Sequence, residues 1–156
     1  MTSNTCLDLT LPAVPGSIRK ARDAAASSVA KVARGQRLAD DVRLCVSEAV
    51  TNVVRHAYVR GTGDVDVVVE RDDGELSVVV RDTGRGMTKA QRDGRIGGYG
   101  LKIIEKVADR LRIQSTNAGV EVEMVFDEQT HAASVRGGSS SPRRRAATRA
   151  PQPRLS

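Results

Sequence analysis

Near the N-terminus Leu7, Leu9 and Leu11 alternate with Asp8 and Thr10, the period of a strand with one buried face, and the run stops at Pro12. Pro15-Gly16-Ser17 offers a turn and an N-cap, after which Ile18, Ala21, Ala25, Val29 and Val32 recur at helical spacing until Gly35. A second helix is predicted from Leu38 to Tyr58, where Val42, Cys45, Val46, Ala49, Val50, Val53 and Ala57 form one continuous apolar stripe. Beyond Gly61-Thr62-Gly63 two runs of period two, Val65-Val67-Val69 and Leu76-Val78-Val80, flank the turn Asp72-Asp73-Gly74 and read as a hairpin. Residues 82–98 are glycine-rich and weakly apolar, and a loop of that length in a compact domain is usually functional or disordered. A third helix carries Leu101, Ile104, Val107 and Leu111 near its apolar face. A closing hairpin is read from Leu111, Ile113 and Ser115 through Asn117-Ala118-Gly119 to Val120, Val122, Met124 and Phe126.

The order β-α-α-β-β-loop-α-β-β predicts an α+β two-layer sandwich: a mixed sheet with helices on one face. From Gln129 onward the chain is Ala, Ser, Gly, Pro, Gln and Arg with almost no large apolar residue. Such a segment cannot bury enough surface to offset its chain entropy, so residues 1–128 are expected to form one domain and residues 129–156 a disordered tail.

Charge alters this picture only in its placement. The formal net charge is +6, yet all 19 acidic residues lie in residues 1–128, where Lys and Arg balance them. The excess is six arginines, Arg136, Arg143, Arg144, Arg145, Arg149 and Arg154, in a tail without an acid. A solubilising tail and a nonspecific nucleic-acid contact both fit that pattern. Tyr58, Tyr99 and Phe126 are the only aromatics, too few for a base-stacking platform, so no specific nucleic-acid binding is expected. The longest apolar runs are far below the roughly 20 residues of a membrane span, and the N-terminus has no signal-like apolar segment, so a cytoplasmic location without membrane contact is expected. Cys6 and Cys45 are read as reduced, at least half-buried thiols, since two alone supply neither a zinc site nor a disulfide framework.

Three stretches can carry chemistry. On the second helix Glu48, Asn52 and His56 recur at i, i+4 and i+8, a polar stripe beside the apolar one; taken alone it reads first as a solvated face. Asp82-Thr83-Gly84-Arg85-Gly86-Met87 begins where a strand ends. There Asp82 could accept a hydrogen bond from an exocyclic amine, and alternate glycines would let a flat ligand approach the backbone, although an ordinary turn has the same composition. Gly97-Gly98-Tyr99-Gly100-Leu101-Lys102 leads into the third helix, whose unpaired N–H groups could cradle phosphate oxygens; a flexible loop meeting a helix is the plainer alternative.

Taken together, Ser47 to Tyr58, Asp82 to Met87 and Gly98 to Leu101 resemble the N box and the two glycine boxes of the histidine kinase-like ATP-binding superfamily (the Bergerat fold) shared by gyrase, the heat-shock chaperones and histidine kinases. The form E-A-V-T-N-x-x-x-H-A-Y is similar to that of the anti-sigma-factor serine/threonine protein kinases, whose length and element order also match residues 5–128. The resemblance implies that Asn52 gives its amide oxygen to Mg²⁺ on the phosphates of ATP and that Asp82 holds the adenine amino group. It implies that Glu48 is the general base toward a serine hydroxyl, that Gly84, Gly86 and Met87 line the adenine and ribose side, and that residues 87–97 form a lid. Gly98, Gly100 and Leu101 would hold phosphate oxygens, with Thr51 and His56 as secondary positions. Relatives often carry a basic residue immediately before the second glycine box to engage the terminal phosphate; here Ile96 stands there, and Arg95, one position early, is the candidate for that contact.

The implied partners are a sigma factor and a small anti-anti-sigma (STAS-type) protein, with a homodimer as the expected assembly. The implied function is an ATP-binding anti-sigma factor that phosphorylates its antagonist. An ATP-binding regulator that sequesters a partner without phosphoryl transfer, and a nucleic-acid-associated protein acting through the basic tail, stay open beside it.

Overall fold

A computed structural model describes residues 3–59, 61–93, 95 and 98–133. Strand β1 (Asn4–Pro12) is followed by helices α1 (Pro15–Val32) and α2 (Gln36–Asn52), the latter continued by a π-helical turn over Val53–Ala57. The hairpin of β2 (Asp64–Asp72) and β3 (Glu75–Asp82) comes next, then a four-residue helix α3 (Lys89–Arg92), α4 (Gly100–Val107), the hairpin of β4 (Arg110–Thr116) and β5 (Gly119–Asp127), and a short α5 (Glu128–Ala133).

The strands form one sheet in the order β1-β2-β3-β5-β4. Every pair is antiparallel, which corrects the expected mixed sheet. β4 does run parallel to β3, as a strand reached through a helix should, but β5 folds back between them and no parallel ladder forms. The period-two pattern is realised directly: Val65, Val67, Val69, Leu76, Val78, Val80, Met124 and Phe126 are buried against the helices while their neighbours stay partly open. Ala21, Ala25 and Val29 of α1, Val42, Val46 and Val50 of α2, and Ile104 of α4 complete the core. Burying such aliphatic side chains, at about 1.5–3 kcal/mol each, is the main force joining the layers.

Helix ends differ from expectation where local chemistry rules. Pro15 sits at the first helical position of α1, where its missing N–H is not needed, so the helix begins two residues before Ser17, the expected cap. Gly35, with φ of 118°, starts α2 rather than closing α1. Leu111 belongs to β4 and not to the preceding helix, which stops at Val107.

The expected tail boundary is also corrected. Residues 129–133 are helical, with the Asp127 carboxylate accepting from the N–H of Gln129 at 2.7 Å as an N-cap. His131 is buried: its Nδ1 lies 2.8 Å from Asp41 of α2, its Nε2 lies 3.0 Å from Asp109 before β4, and its ring meets the edge of Phe126. These contacts hold a segment that hydrophobicity alone leaves unstructured. Residues 134–156, the rest of the expected disordered tail, lie outside the described residues. Cys45 is buried and Cys6 half-buried, both free, and burial pushes the Cys45 thiol up to about 12. Among the described residues no helix is long and apolar enough to cross a membrane.

Candidate functional site

The cleft lies between α2, the C-terminal end of β3 and the start of α4, with a cavity volume of about 40 Å³. Its walls are mostly apolar: Ala49, Val53 and Ala57 from α2 and its π-turn, Val80 from β3, Val120 and Val122 from β5, with Met87 and Leu101 at the sides. Into this slot come Asn52, His56, Asp82, Gln91 and the backbone of Gly86 and Gly98. An apolar slot with a few convergent polar groups is the usual form of a small-molecule site.

α2 positions two of these groups. Asn52 ends its regular part, and Glu48 lies one turn earlier on the same stripe. A Cβ added at Gly100, the first residue of α4, would sit 2.8 Å from Glu48 Oε2 and 3.5 Å from Asn52 Nδ2. Glycine at 100 therefore lets the start of α4 approach both side chains. Tyr99, at the N-cap of α4, makes no side-chain hydrogen bond to it, so the first-turn N–H groups have no side-chain cap. Those groups and the positive end of the helix dipole suit phosphate oxygens.

Beyond Asn52 the helix widens into the π-turn, a local expansion frequent at functional sites. It carries His56, whose Nε2 is buried and has no partner among the described residues. The orphan carbonyls of this turn are met by the residue between two glycines of the next motif: Arg85 N–H donates to Ala57 O at 3.0 Å, and its Nε donates to His56 O at 2.9 Å. Gly84 serves the same junction, because a Cβ there would lie 2.7 Å from the carbonyl carbon of Ala57. The first glycine thus keeps room for the protein's own backbone rather than for a ligand. Gly86, with φ of 79°, lines the cleft, and a Cβ on it would meet Thr116 and Ser115.

Asp82 is 8 % exposed at the end of β3. Its Oδ1 accepts from Gly84 N–H at 2.8 Å. Burial pushes its carboxyl above the ordinary aspartate range, opposed by backbone N–H groups of Gly84 and Val120. Such a group can accept a further hydrogen bond from an amine in the cleft.

Of the residues expected from sequence, Asn52, His56, Asp82, Gly86, Met87, Gly98 and Leu101 line the cleft, and Glu48 and Gly100 meet beside it. Three others lie outside the lining. Gly84 packs on Ala57, Thr51 donates its hydroxyl to Ser47 O at 2.6 Å within α2, and Arg95 is exposed with Asp93 at 4.0 Å. The sequence reading missed a supporting group from the closing hairpin and the helix C-terminus. Ser115 Oγ accepts from Met87 N–H at 2.7 Å, and Tyr58 Oη accepts from Thr83 N–H at 3.1 Å. Gly119, with φ of 138°, packs so closely on β3 that a Cβ would lie 3.0 Å from Thr83 Cα. The glycine in Asn117-Ala118-Gly119 was its available signal, read only as a turn.

Comparison with known proteins identifies the family. Residues 11–126 match the family described as histidine kinase-like ATPase domain. The serine-protein kinase RsbW of Listeria innocua is 30% identical over 79% of this chain and 87% of its own length. The anti-sigma F factor of Clostridium acetobutylicum is 31% identical over 49% of this chain, and the match spans 60% of that relative's length. The histidine kinase domain of the Erythrobacter litoralis blue-light activated histidine kinase superposes with a TM-score of 0.56 at 25% identity, covering 63% of this chain and 48% of that one. The solved RsbU and RsbW domains of a Mycobacterium tuberculosis protein share the fold with a TM-score of 0.62 at 21% identity, over 81% of this chain and 32% of that one. The chain belongs to the histidine kinase-like ATPase domain family, in the branch that holds the RsbW serine-protein kinases and the anti-sigma F factors.

Proposed function

We propose that this chain is an ATP-dependent serine/threonine protein kinase and anti-sigma factor, which binds Mg·ATP in the cleft, phosphorylates a small anti-anti-sigma protein and sequesters a sigma factor. The carrying observation is that Asn52, Asp82 and Gly98, far apart in the chain, line one slot while Glu48 stands beside Gly100 at its mouth. The adenine enters the apolar part of the slot, and Asp82 takes its amino group. The phosphates would sit at the N-terminus of α4, held by its uncapped first-turn N–H groups beside the backbone of Gly98.

Mg²⁺ fits the donors present. It prefers oxygen and keeps several waters, so it needs only one or two protein ligands beside phosphate. Asn52 offers one amide oxygen at the end of the regular part of α2, and waters would complete the shell. The ion would supply neutralisation of phosphate charge when bound. Glu48 accepts the proton of the substrate hydroxyl as its oxygen bonds to the terminal phosphorus; the bond from that phosphorus to the bridging oxygen breaks and ADP leaves. The partners are a sigma factor and a STAS-type antagonist, the assembly a homodimer and the location the cytoplasm; light scattering tests the dimer.

Arg95 favours a second reading, because it is exposed beside Asp93 instead of lining the cleft. In that reading the chain binds ATP, sequesters its partner and transfers nothing. Titration with ATP, ADP and GTP, with and without Mg²⁺, tests the pocket first. Folded Asn52→Ala and Asp82→Asn proteins are expected to lose at least about tenfold in affinity for Mg·ATP, a loss of one charge-assisted contact each. Label transfer from radioactive ATP to the antagonist then separates the two readings.

A further inference from the structure

The helices cover one face of the sheet, and the other face is acidic. Asp72, Glu75 and Asp127 stand directly opposite one another across β2, β3 and β5. The same outward register holds Asp8, Asp64, Asp66, Glu70, Glu121 and Glu123, against only Arg81, Arg110 and Arg112 among the described residues. Arg81 pairs with Glu121 and Arg110 with Glu75, and the remaining carboxylates outnumber the basic partner left to them. Like charges directly opposed across strands destabilise a sheet, so nine carboxylates against three guanidiniums form a face that favours a cation. Half-buried Val68, Val79 and Val125 run through its middle.

We propose that this face is the docking surface for the chain's own arginine-rich segment, residues 134–156. That segment carries six arginines and no acid, a charge opposite in sign and equal in size to the face's excess of six carboxylates. It starts at the end of the sheet on the helical side, where Ala132 borders a depression with Val32 and Arg34, so it has to pass round the sheet's end to reach this face. Gln129 lines a shallow depression with Asp72, Asp73, Glu75 and Asp127, and His131 pins α5 to Asp41 and Asp109 beside that corner. From Ala133 the remaining 23 residues can extend up to about 75 Å, while the five strands span only about 19 Å. Reach does not limit the contact. Docked there, the arginines are withheld from external phosphate groups, nucleic acid included. The inference is independent of nucleotide binding.

Trypsin cleavage of the full chain after Arg143, Arg144 and Arg145 tests it, each rate being divided by that of a synthetic peptide of residues 134–156 in the same salt. Protection of about tenfold is expected at low ionic strength and its loss near 0.5 M salt, since exposed pairs are individually weak and screened. The combined variant Asp8→Asn, Glu70→Gln, Asp72→Asn, Glu123→Gln should abolish protection, while Asp40→Asn with Glu105→Gln on the helical side should keep it. If the fourfold variant fails to fold, Glu70→Gln with Glu123→Gln should still remove at least about half of the protection. Equal cleavage of chain and peptide at low salt overturns the proposal, as does protection unchanged by the face variants or lost equally in the helical-side pair. Protection that grows with protein concentration places the segment on a second copy and overturns the intramolecular contact.

Discussion

Replacing Gly84 by alanine separates two explanations of a glycine box. If Gly84 were needed only for a nucleotide to approach, the free protein would tolerate a methyl there. Instead that methyl would lie 2.7 Å from the carbonyl carbon and 2.8 Å from Cβ of Ala57, against a comfortable carbon–carbon separation of about 3.5–4.0 Å. Relief requires the segment after β3 to move roughly 1 Å away from the π-turn. That movement breaks the Arg85 N–H bond to Ala57 O and strains the Arg85 side-chain bond to His56 O. Two hydrogen bonds at about 1 kcal/mol each, plus incomplete repacking, give an expected destabilisation of about 2–3 kcal/mol. Urea unfolding of the nucleotide-free protein reads this as a lower midpoint with an unchanged slope. Affinity for ATP should fall as well, since Asp82 is anchored through Gly84 N–H. A Gly84→Ala protein as stable as the parent without nucleotide, yet impaired in binding, would show that the glycine serves the ligand and that the packing argument is wrong.

Glu48→Gln should lower phosphoryl transfer by at least about 100-fold while changing the nucleotide dissociation constant by less than about twofold, as removal of a general base does; parallel loss of binding would assign Glu48 a structural role. The raised pKa of Asp82 predicts an acid limb in adenosine binding whose midpoint lies above the ordinary value of about 3.9, because the ionised carboxylate is the stronger acceptor. For stability the sign is opposite: the folded chain holds more protons in that window, so the contribution of this group falls as pH rises through it. Calorimetric binding from pH 4 to 7 checks the limb, and its persistence in Asp82→Asn removes the assignment. His131→Ala loses the contacts to Asp41 and Asp109 and should cost about 2 kcal/mol, with hydrogen exchange accelerated in residues 128–133; unchanged exchange there would mean that α5 is held by other contacts.

The elements with strong periodicity were legible because their pattern is caused by the same burial that fixes their place. Val65, Val67 and Val69 alternate in sequence and each reaches full burial on the sheet. The site was legible in its ends: Asn52, Asp82 and Gly98 were identifiable as a helix stripe, a strand terminus and a helix entrance, and they line one cleft. What sequence could not supply was the partner of each small or polar residue. α5 escaped notice since its order rests on His131 meeting Asp41, 90 residues earlier in the chain, and no local pattern announces such a pair.

The glycines make the same point more sharply. Each of Gly84, Gly86, Gly100 and Gly119 lies near the cleft, and sequence alone assigns the first three to a ligand and the fourth to a turn. Only the structure reveals that they make room for four different things: the end of the π-turn at Ala57, the carbonyl of Thr116, the carboxylate of Glu48, and the backbone at Asp82 and Thr83. Three of those neighbours are backbone of this chain, so the cleft is shaped by close backbone contacts at its margins before any nucleotide arrives. A site assembled in that way transmits a misplaced methyl at one margin to Asp82 at another, through Gly84 N–H and Gly119, and substitutions at these glycines should therefore couple to one another rather than add.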